Sequence, residues 1–246
     1  MVQYVKPLSS LILAAGKGTR MKSDLAKVLH PLCGRPLLDY SIDVARKIGS
    51  DKIVVVIGHQ AEMIREMYAG RDLIFVEQRE QLGTGHAVLQ ARDVFNGYDG
   101  TILILCGDVP LLLPETILAL YKRHMHSRSV VTVMTVILDD PAHYGRVVKD
   151  SNGEVIKIVE MRDATKEEKL VREINTGIYC ADCRFLFDAV SEISNQNAQR
   201  EYYLTDIIEI ANKKGLKAGS FIATDAHEVM GINTPEELEL AARHLT

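Results

Sequence analysis

Nowhere in the 246-residue sequence is there an apolar run long enough to span a membrane. The longest uncharged stretches, such as residues 129–138, run about ten residues, roughly half of a bilayer-crossing helix. Lys6 ahead of the apolar run to Ala15 has the outline of a signal peptide, but cleavage there would destroy the glycine-rich motif that follows. Cysteine is scarce as well. Four residues without a secretory signal exclude a disulfide framework and fit a reducing compartment, which makes the cytoplasm the expected location. Excess charge is missing too. A net charge of -4 provides no field for nucleic acid or an anionic membrane surface, so neither is expected as a partner. The sequence has no internal repeat and no low-complexity segment.

What is present is enough apolar material for a full core, at 47% hydrophobic residues, arranged in alternating patterns. Short aliphatic runs at residues 8–15, 52–57, 73–76, 101–106 and 130–138 read as buried strands. Segments of helical period lie between them at 36–48, 61–68, 86–95 and 114–126. Such alternation predicts a doubly wound α/β domain with a mostly parallel sheet. Beyond Leu138 the rhythm changes. Runs at 146–149 and 155–159 flank Asp150-Ser151-Asn152-Gly153, the signature of a small inserted β-hairpin. Strands at 173–180 and 217–222 and a helix at 235–244 complete a single expected domain over 1–246, with 194–199 as a surface loop.

The first strand runs into Leu13-Ala14-Ala15-Gly16-Lys17-Gly18-Thr19-Arg20-Met21. A glycine loop at the carboxyl end of a strand is where open α/β sheets bind ligands, because bare backbone N–H groups approach phosphate oxygens there. Lys17, Arg20, Lys22 and Lys27 against Asp24 make this the one locally basic stretch. A tight turn with solvated basic residues would look much the same. Two familiar loops are excluded. The dinucleotide fingerprint requires a third glycine where Met21 stands, and Gly16 and Gly18 are too close for a phosphate-binding NTPase loop.

With Lys27, this loop resembles the signature of sugar-phosphate nucleotidyltransferases. Gln78, Gln81-Leu82-Gly83-Thr84-Gly85-His86-Ala87, Gly107-Asp108-Val109-Pro110, Tyr144-Gly145-Arg146, Glu173-Ile174-Asn175-Thr176-Gly177, Glu201-Tyr202-Tyr203-Leu204-Thr205-Asp206 and Gly231-Ile232-Asn233 narrow it. Together they resemble the uridylyltransferase domain of bacterial bifunctional N-acetylglucosamine-1-phosphate uridylyltransferase/glucosamine-1-phosphate acetyltransferases, in order from about residue 8 to 235. The resemblance implies a Rossmann-like nucleotidyltransferase fold. It implies a cytoplasmic enzyme of cell-wall precursor synthesis that joins UTP to N-acetylglucosamine-1-phosphate with Mg2+, giving UDP-N-acetylglucosamine and pyrophosphate. By resemblance, Leu13, Ala14, Ala15, Gly16, Gln78, Gly83 and Thr84 meet the uridine nucleotide, and Arg20 and Lys27 its phosphates. Gly145, Glu160 and Asn175 hold the sugar, Cys106 and Gly107 lie beside the substrate, and Asp108 and Asn233 bind magnesium. Family members continue into hexapeptide repeats that carry the acetyltransferase and trimerise. With the sequence ending at Thr246, the expectation is no acetyltransferase domain and a monomer. A tyrosine is frequent in the family where Cys106 stands, which weakens any side-chain role there.

The chemistry suits these residue types. A phosphate monoester has a second pKa of about 6, so the attacking oxygen needs no general base, and no catalytic dyad is expected. A protein for this reaction gathers two repelling anions and neutralises the leaving group. A hard cation takes one or two protein oxygens plus phosphates, for which Asp108 and Asn233 suffice. Taken singly, Asp108 also reads as a turn residue before Pro110 and Asn233 as a helix-start residue before Thr234-Pro235. Gln78 and Glu160 also read as solvated side chains, and Asn175 as a strand residue needing backbone partners. Cys180 and Cys183 have redox spacing but no second pair and no evident activating helix, so they read as structural. His124 and His126 read as solvated at a helix end, His86 lacks an evident acid–base partner, and residues 166–169 read as a solvated turn. A glucose-1-phosphate uridylyltransferase and a silent sugar-nucleotide sensor remain as alternatives.

Overall fold

The computed structural model describes residues 7–245. Strand β1 (Leu8–Ala14) enters the glycine loop, and a ribbon of β2 (Pro31–Leu32) and β3 (Arg35–Pro36) follows. Its two-residue turn has φ 48° at Cys33 and 80° at Gly34, the positive pair that tight hairpins require. Then come α1 (Leu37–Lys47), β4 (Ile53–Ile57), α2 (Ala61–Met67), β5 (Ile74–Glu77), α3 (Thr84–Leu89), β6 (Thr101–Cys106), α4 (Pro114–Ser127) and β7 (Val131–Ile137). The hairpin β8 (Arg146–Lys149) and β9 (Val155–Val159), β10 (Glu173–Asp182), α5 (Cys183–Val190), α6 (Asp206–Lys213), β11 (Ala218–Ile222), α7 (Ala226–Val229) and α8 (Pro235–Leu245) complete it.

The central sheet runs β11-β7-β10-β6-β1-β4-β5, with the hairpin joined through β8 to β10. Pairs β1–β4, β1–β6, β4–β5 and β7–β11 are parallel, as the strand–helix alternation implies. β10 is antiparallel to both β6 and β7, and it bulges between Asn175 and Tyr179. Side chains alternate faces along each strand. Ile12, Val55, Leu103 and Leu105 therefore pack with α1, α2 and α4 on one side, while Leu11, Val54, Ile102 and Ile104 pack with α3, α5 and α6 on the other. These two apolar layers, fully shielded at most positions, are the main source of stability.

Several expectations need correction. The helix expected over 86–95 is two pieces, α3 and a 3-10 turn Arg92–Phe95, because i→i+3 bonds at Gln90 and Ala91 tighten the chain. That tightening lets Ala91 and Phe95 both reach the core. β2, β3, α5, α6 and α7 were not foreseen. His124 is buried rather than solvated, with Nδ1 3.0 Å from Thr132 Oγ1. Among the described residues no helix is long and apolar enough to cross a membrane.

Candidate functional site

The carboxyl ends of β1, β5 and β6 meet over a cleft of about 290 Å3. Leu13, Ala14, Ala15, Gly16, Lys27, Gln78, Gly83, Thr84, Cys106 and Asp108, all named from sequence, line it. Val28, Gln81, Ala87 and Glu201 complete the lining; the last three belong to motifs quoted above but had no assigned role, and Val28 was not foreseen. Gly107 extends the strand pairing, its N–H donating to Leu13 O at 2.9 Å. Gly18 has φ 64°, and a Cβ there would stand 2.5 Å from Lys27 Cβ, so only glycine lets the lysine stem cross the loop. Met21, in place of the fingerprint glycine, is buried with Ile232 and Ala241 and pins the loop to the segment bearing Asn233.

At one end of the cleft the Lys27 ammonium is ion-paired with Asp108 and donates to Asn233 Oδ1 at 2.9 Å. Asn233 is buried and also donates from Nδ2 to Gly231 O at 3.0 Å. It does not start α8. Thr234 accepts from Glu237 N at 3.2 Å while Glu237 accepts from the N–H groups of Asn233 and Thr234, a capping box that leaves Asn233 free to face Lys27. Arg20 points elsewhere, its Nη1 2.9 Å from His143 Nε2, with the His143 ring stacked on Tyr144.

The other end of the cleft is built by backbone. Gly83 has φ 109°, and Tyr202 N and O bond Leu82 O and Gly85 N at 2.8 and 2.7 Å. A Cβ on Gly83 would meet Tyr202 O at 2.6 Å. Thr84 Oγ1 accepts from Leu204 N at 3.0 Å. Gln78 is only 3% exposed, which removes the solvated reading. Its Nε2 donates to Gly83 O at 3.0 Å and lies 3.1 Å from His86 Nδ1.

Gly145, Glu160 and Asn175 form a second group. Asn175 N donates to Gly145 O at 2.9 Å, and a Cβ on Gly145 would sit 3.5 Å from both Glu160 oxygens. Asn175 Oδ1 accepts from Gly177 N and Tyr179 Oη, each at 2.9 Å. Glu160 is partly buried rather than a free surface charge. Burial pushes its carboxyl above the usual range, opposed by the Thr205 hydroxyl that donates to it at 3.2 Å. Glu160 also lines a separate polar cavity of about 400 Å3 with Asp163, Tyr203 and Asp206. Burial holds the Asp206 carboxyl up to about 6, with Glu209 adding and Lys213 opposing. The two groups touch where Cys106 Sγ meets Gly177 O at 3.5 Å. Burial first, then Asp108, pushes the Cys106 thiol up to about 12, so it packs as an inert neutral group. Cys183 does begin a helix, contrary to expectation, yet burial still raises its thiol to about 11.

A glycine loop, a buried amide and a lysine–carboxylate pair on one doubly wound sheet define a nucleotide-handling transferase. Residues 9–231 match the nucleotidyl transferase family model, and the chain belongs to that family. It is 51% identical over 237 residues to the bifunctional protein GlmU of Geobacter metallireducens, covering 96% of this chain and 50% of that protein. The GlmU of Geobacter sulfurreducens is 51% identical over 238 residues, and that of Desulfotalea psychrophila is 45% identical over 239 residues with 70% of it covered. The chain spans about half the length of the first of these relatives. A solved UDP-glucose pyrophosphorylase complexed with UDP-glucose superposes with a TM-score of 0.77 over 97% of this chain and 98% of that one. Its 18% identity makes that likeness one of fold.

Proposed function

We propose that this nucleotidyltransferase transfers UMP from UTP to N-acetylglucosamine-1-phosphate, giving UDP-N-acetylglucosamine and pyrophosphate. The observation that carries the reading is one cleft with a bare-backbone, amide-lined end and a lysine–carboxylate–carboxamide end. Gln78, Gly83 and Thr84 would hold the base, and the backbone of Leu13 to Gly16 would approach the phosphates. Lys27 and Arg20 would supply the positive charge that keeps two anions within reach of each other. The sugar would be held by Gly145, Glu160 and Asn175, whose Nδ2 donates to nothing among the described residues. The attacking phosphate oxygen is already an anion, so the neutral, half-buried Cys106 thiol in the cleft wall is compatible with the chemistry.

The donors at Asp108 and Asn233 fit a magnesium ion. Both present oxygen, the choice of a hard cation, and both already converge on a positive charge, the Lys27 ammonium. Gly231 leaves room beside the carboxylate, since a Cβ there would lie 3.3 Å from Asp108 Oδ2. Bound there with substrate phosphates, magnesium would neutralise charge developing on the leaving pyrophosphate. Among the described residues no three His, Cys, Asp or Glu side chains gather into a metal cage, so the phosphates would complete the coordination.

The test is pyrophosphate release from UTP and magnesium with separate sugar-1-phosphates. N-acetylglucosamine-1-phosphate should give the highest kcat/KM. A higher value with glucose-1-phosphate would move the sugar assignment, and no release with any sugar would make the protein a sensor.

A further inference from the structure

Arg146 closes the Tyr144-Gly145-Arg146 motif, and the reaction above gives it no part. It is 2% exposed, and among the described residues its guanidinium bonds no carboxylate. Burial pushes its pKa down, with only the charge of Asp140 opposing. A buried cation without an ion-pair partner is unfavourable unless its other contacts offset the desolvation.

Those contacts are main-chain oxygens of one short loop. Nη1 donates to Tyr144 O and, at 3.3 Å, to Pro141 O. Nη2 donates to Ala142 O at 2.9 Å and lies 3.5 Å from Met161 Sδ, while Nε bonds nothing among the described residues. The planar fork of an arginine reaches three such oxygens at once, which a point charge does less well. The loop folds around it. Tyr144 N donates to Pro141 O at 3.1 Å, and Ala142 N to Asp140 Oδ1 at 3.0 Å. Ala142 has φ 41°, a left-handed conformation that alanine adopts only where the surroundings impose it. The root of the arginine is fixed in the sheet, since Arg146 starts β8 and pairs with Val159 and Ile174.

Gly145 joins this loop to the sheet. Its oxygen accepts from Asn175 N at 2.9 Å, and both Glu160 oxygens lie 3.5 Å from where a Cβ would stand. A slack loop would therefore shift Gly145 against Glu160 and Asn175. The nucleotide cleft is built from the ends of β1, β5 and β6 and from the turn at Gly83, and Arg146 bonds none of them.

We infer that Arg146 is a positioning residue for the sugar phosphate: by gathering the carbonyls of Pro141, Ala142 and Tyr144, it holds the 141–145 loop taut and sets Gly145 against Glu160 and Asn175. It touches no substrate itself. The inference rests on the assignment of Gly145, Glu160 and Asn175 to the sugar.

The experiment measures KM for UTP and for the sugar-1-phosphate that the parent turns over fastest, in the parent, Arg146→Met and Arg146→Lys. Methionine keeps an unbranched side chain and removes every donor. Its KM for the sugar phosphate should rise about tenfold, with KM for UTP within about twofold of the parent. Lysine keeps the charge without the fork, so its KM for the sugar phosphate should rise about three- to fivefold, and it carries the test should methionine prevent folding. Folded variants with an unchanged KM for the sugar phosphate, or with both KM values raised alike, would overturn the inference and leave Arg146 a part of the scaffold alone. A parent that releases no pyrophosphate with any sugar-1-phosphate would instead overturn the proposed reaction, and this inference with it, before any variant is made.

Discussion

The two ends of the cleft are built on different principles. The end at Gly83 is shaped by backbone: a positive φ, a strand of chain at Tyr202 pressed against bare glycines, and one buried amide that donates to Gly83 O. The end at Lys27 is held by charge, an ammonium between a carboxylate and a carboxamide oxygen. Shape cannot be changed without moving main chain, whereas a charged side chain on a long stem is free to exchange partners. Farther out, around Glu160 and Asp206, a third arrangement holds carboxyls whose ionisation burial opposes. If this division is right, substitutions at the three places should fail in three different ways.

The largest effect is expected at the charged end. Asp108→Asn preserves shape and removes the anion, so the barrier should rise by about 3 to 4 kcal/mol, a loss of turnover of roughly a hundredfold to a thousandfold, with a cooperative melting transition retained. Turnover within about threefold of the parent at limiting magnesium would mean that this end does not work by charge.

At the shaped end, Gly83→Ala brings a Cβ to 2.6 Å from Tyr202 O at φ 109°. Stability should drop by about 2 to 3 kcal/mol, read from denaturant midpoints, and KM for UTP should rise while the sugar phosphate KM changes little. Unchanged midpoints would show that the Tyr202 segment gives way freely.

Glu160→Gln should raise KM for the sugar phosphate about tenfold, worth about 1.4 kcal/mol, and leave KM for UTP within about twofold. Equal changes in both would dissolve the distinction between the sugar and nucleotide groups.

The smallest effect concerns Asp206. A carboxyl raised to about 6 in the folded protein binds its proton more tightly there than in the unfolded chain. Stability is therefore lost as pH rises from about 4 to about 6, and the cost stays in full above that window. Asp206→Asn removes the cost, so Tm should rise by a few degrees at pH 7.5, about 1 kcal/mol, and not at pH 3.5. An equal rise at both values would point to packing instead of ionisation.

The parallel strands were legible because each is a short aliphatic run between helical periods, and β1, β4, β5 and β6 lie within two residues of their expected ends. Strand direction is a different matter. β10 reads like its neighbours, and nothing in a period of two says that it runs against them. α5 and α6 are amphipathic helices of only eight residues, about two turns each, too short for a helical period to stand out from the flanking segments. In the cleft, residues tied to a motif were found, and the glycine loop, Gln78 and Asp108 do line one space. What was not legible is which atom each side chain spends on its neighbours. Gln78 looked solvated and is buried, Asn233 looked like a cap although Thr234 and Glu237 do that work, and His86 looked partnerless until the fold set it against Gln78.

The position of β10 also sets an order of events during synthesis. Residues 8–106 contain four strands that pair in parallel with one another, so the side of the sheet bearing the glycine loop is able to assemble while the rest of the chain is still being made. β6 then keeps an open edge, and β7 has no sheet partner at all until residues 173–182 emerge between them. For that interval the nascent chain carries two strands with bare edges, rich in Val, Ile and Leu, the kind of surface that pairs with other chains. Slow emergence of the chain before residue 173 would lengthen that exposure, and emergence of residue 182 would end it.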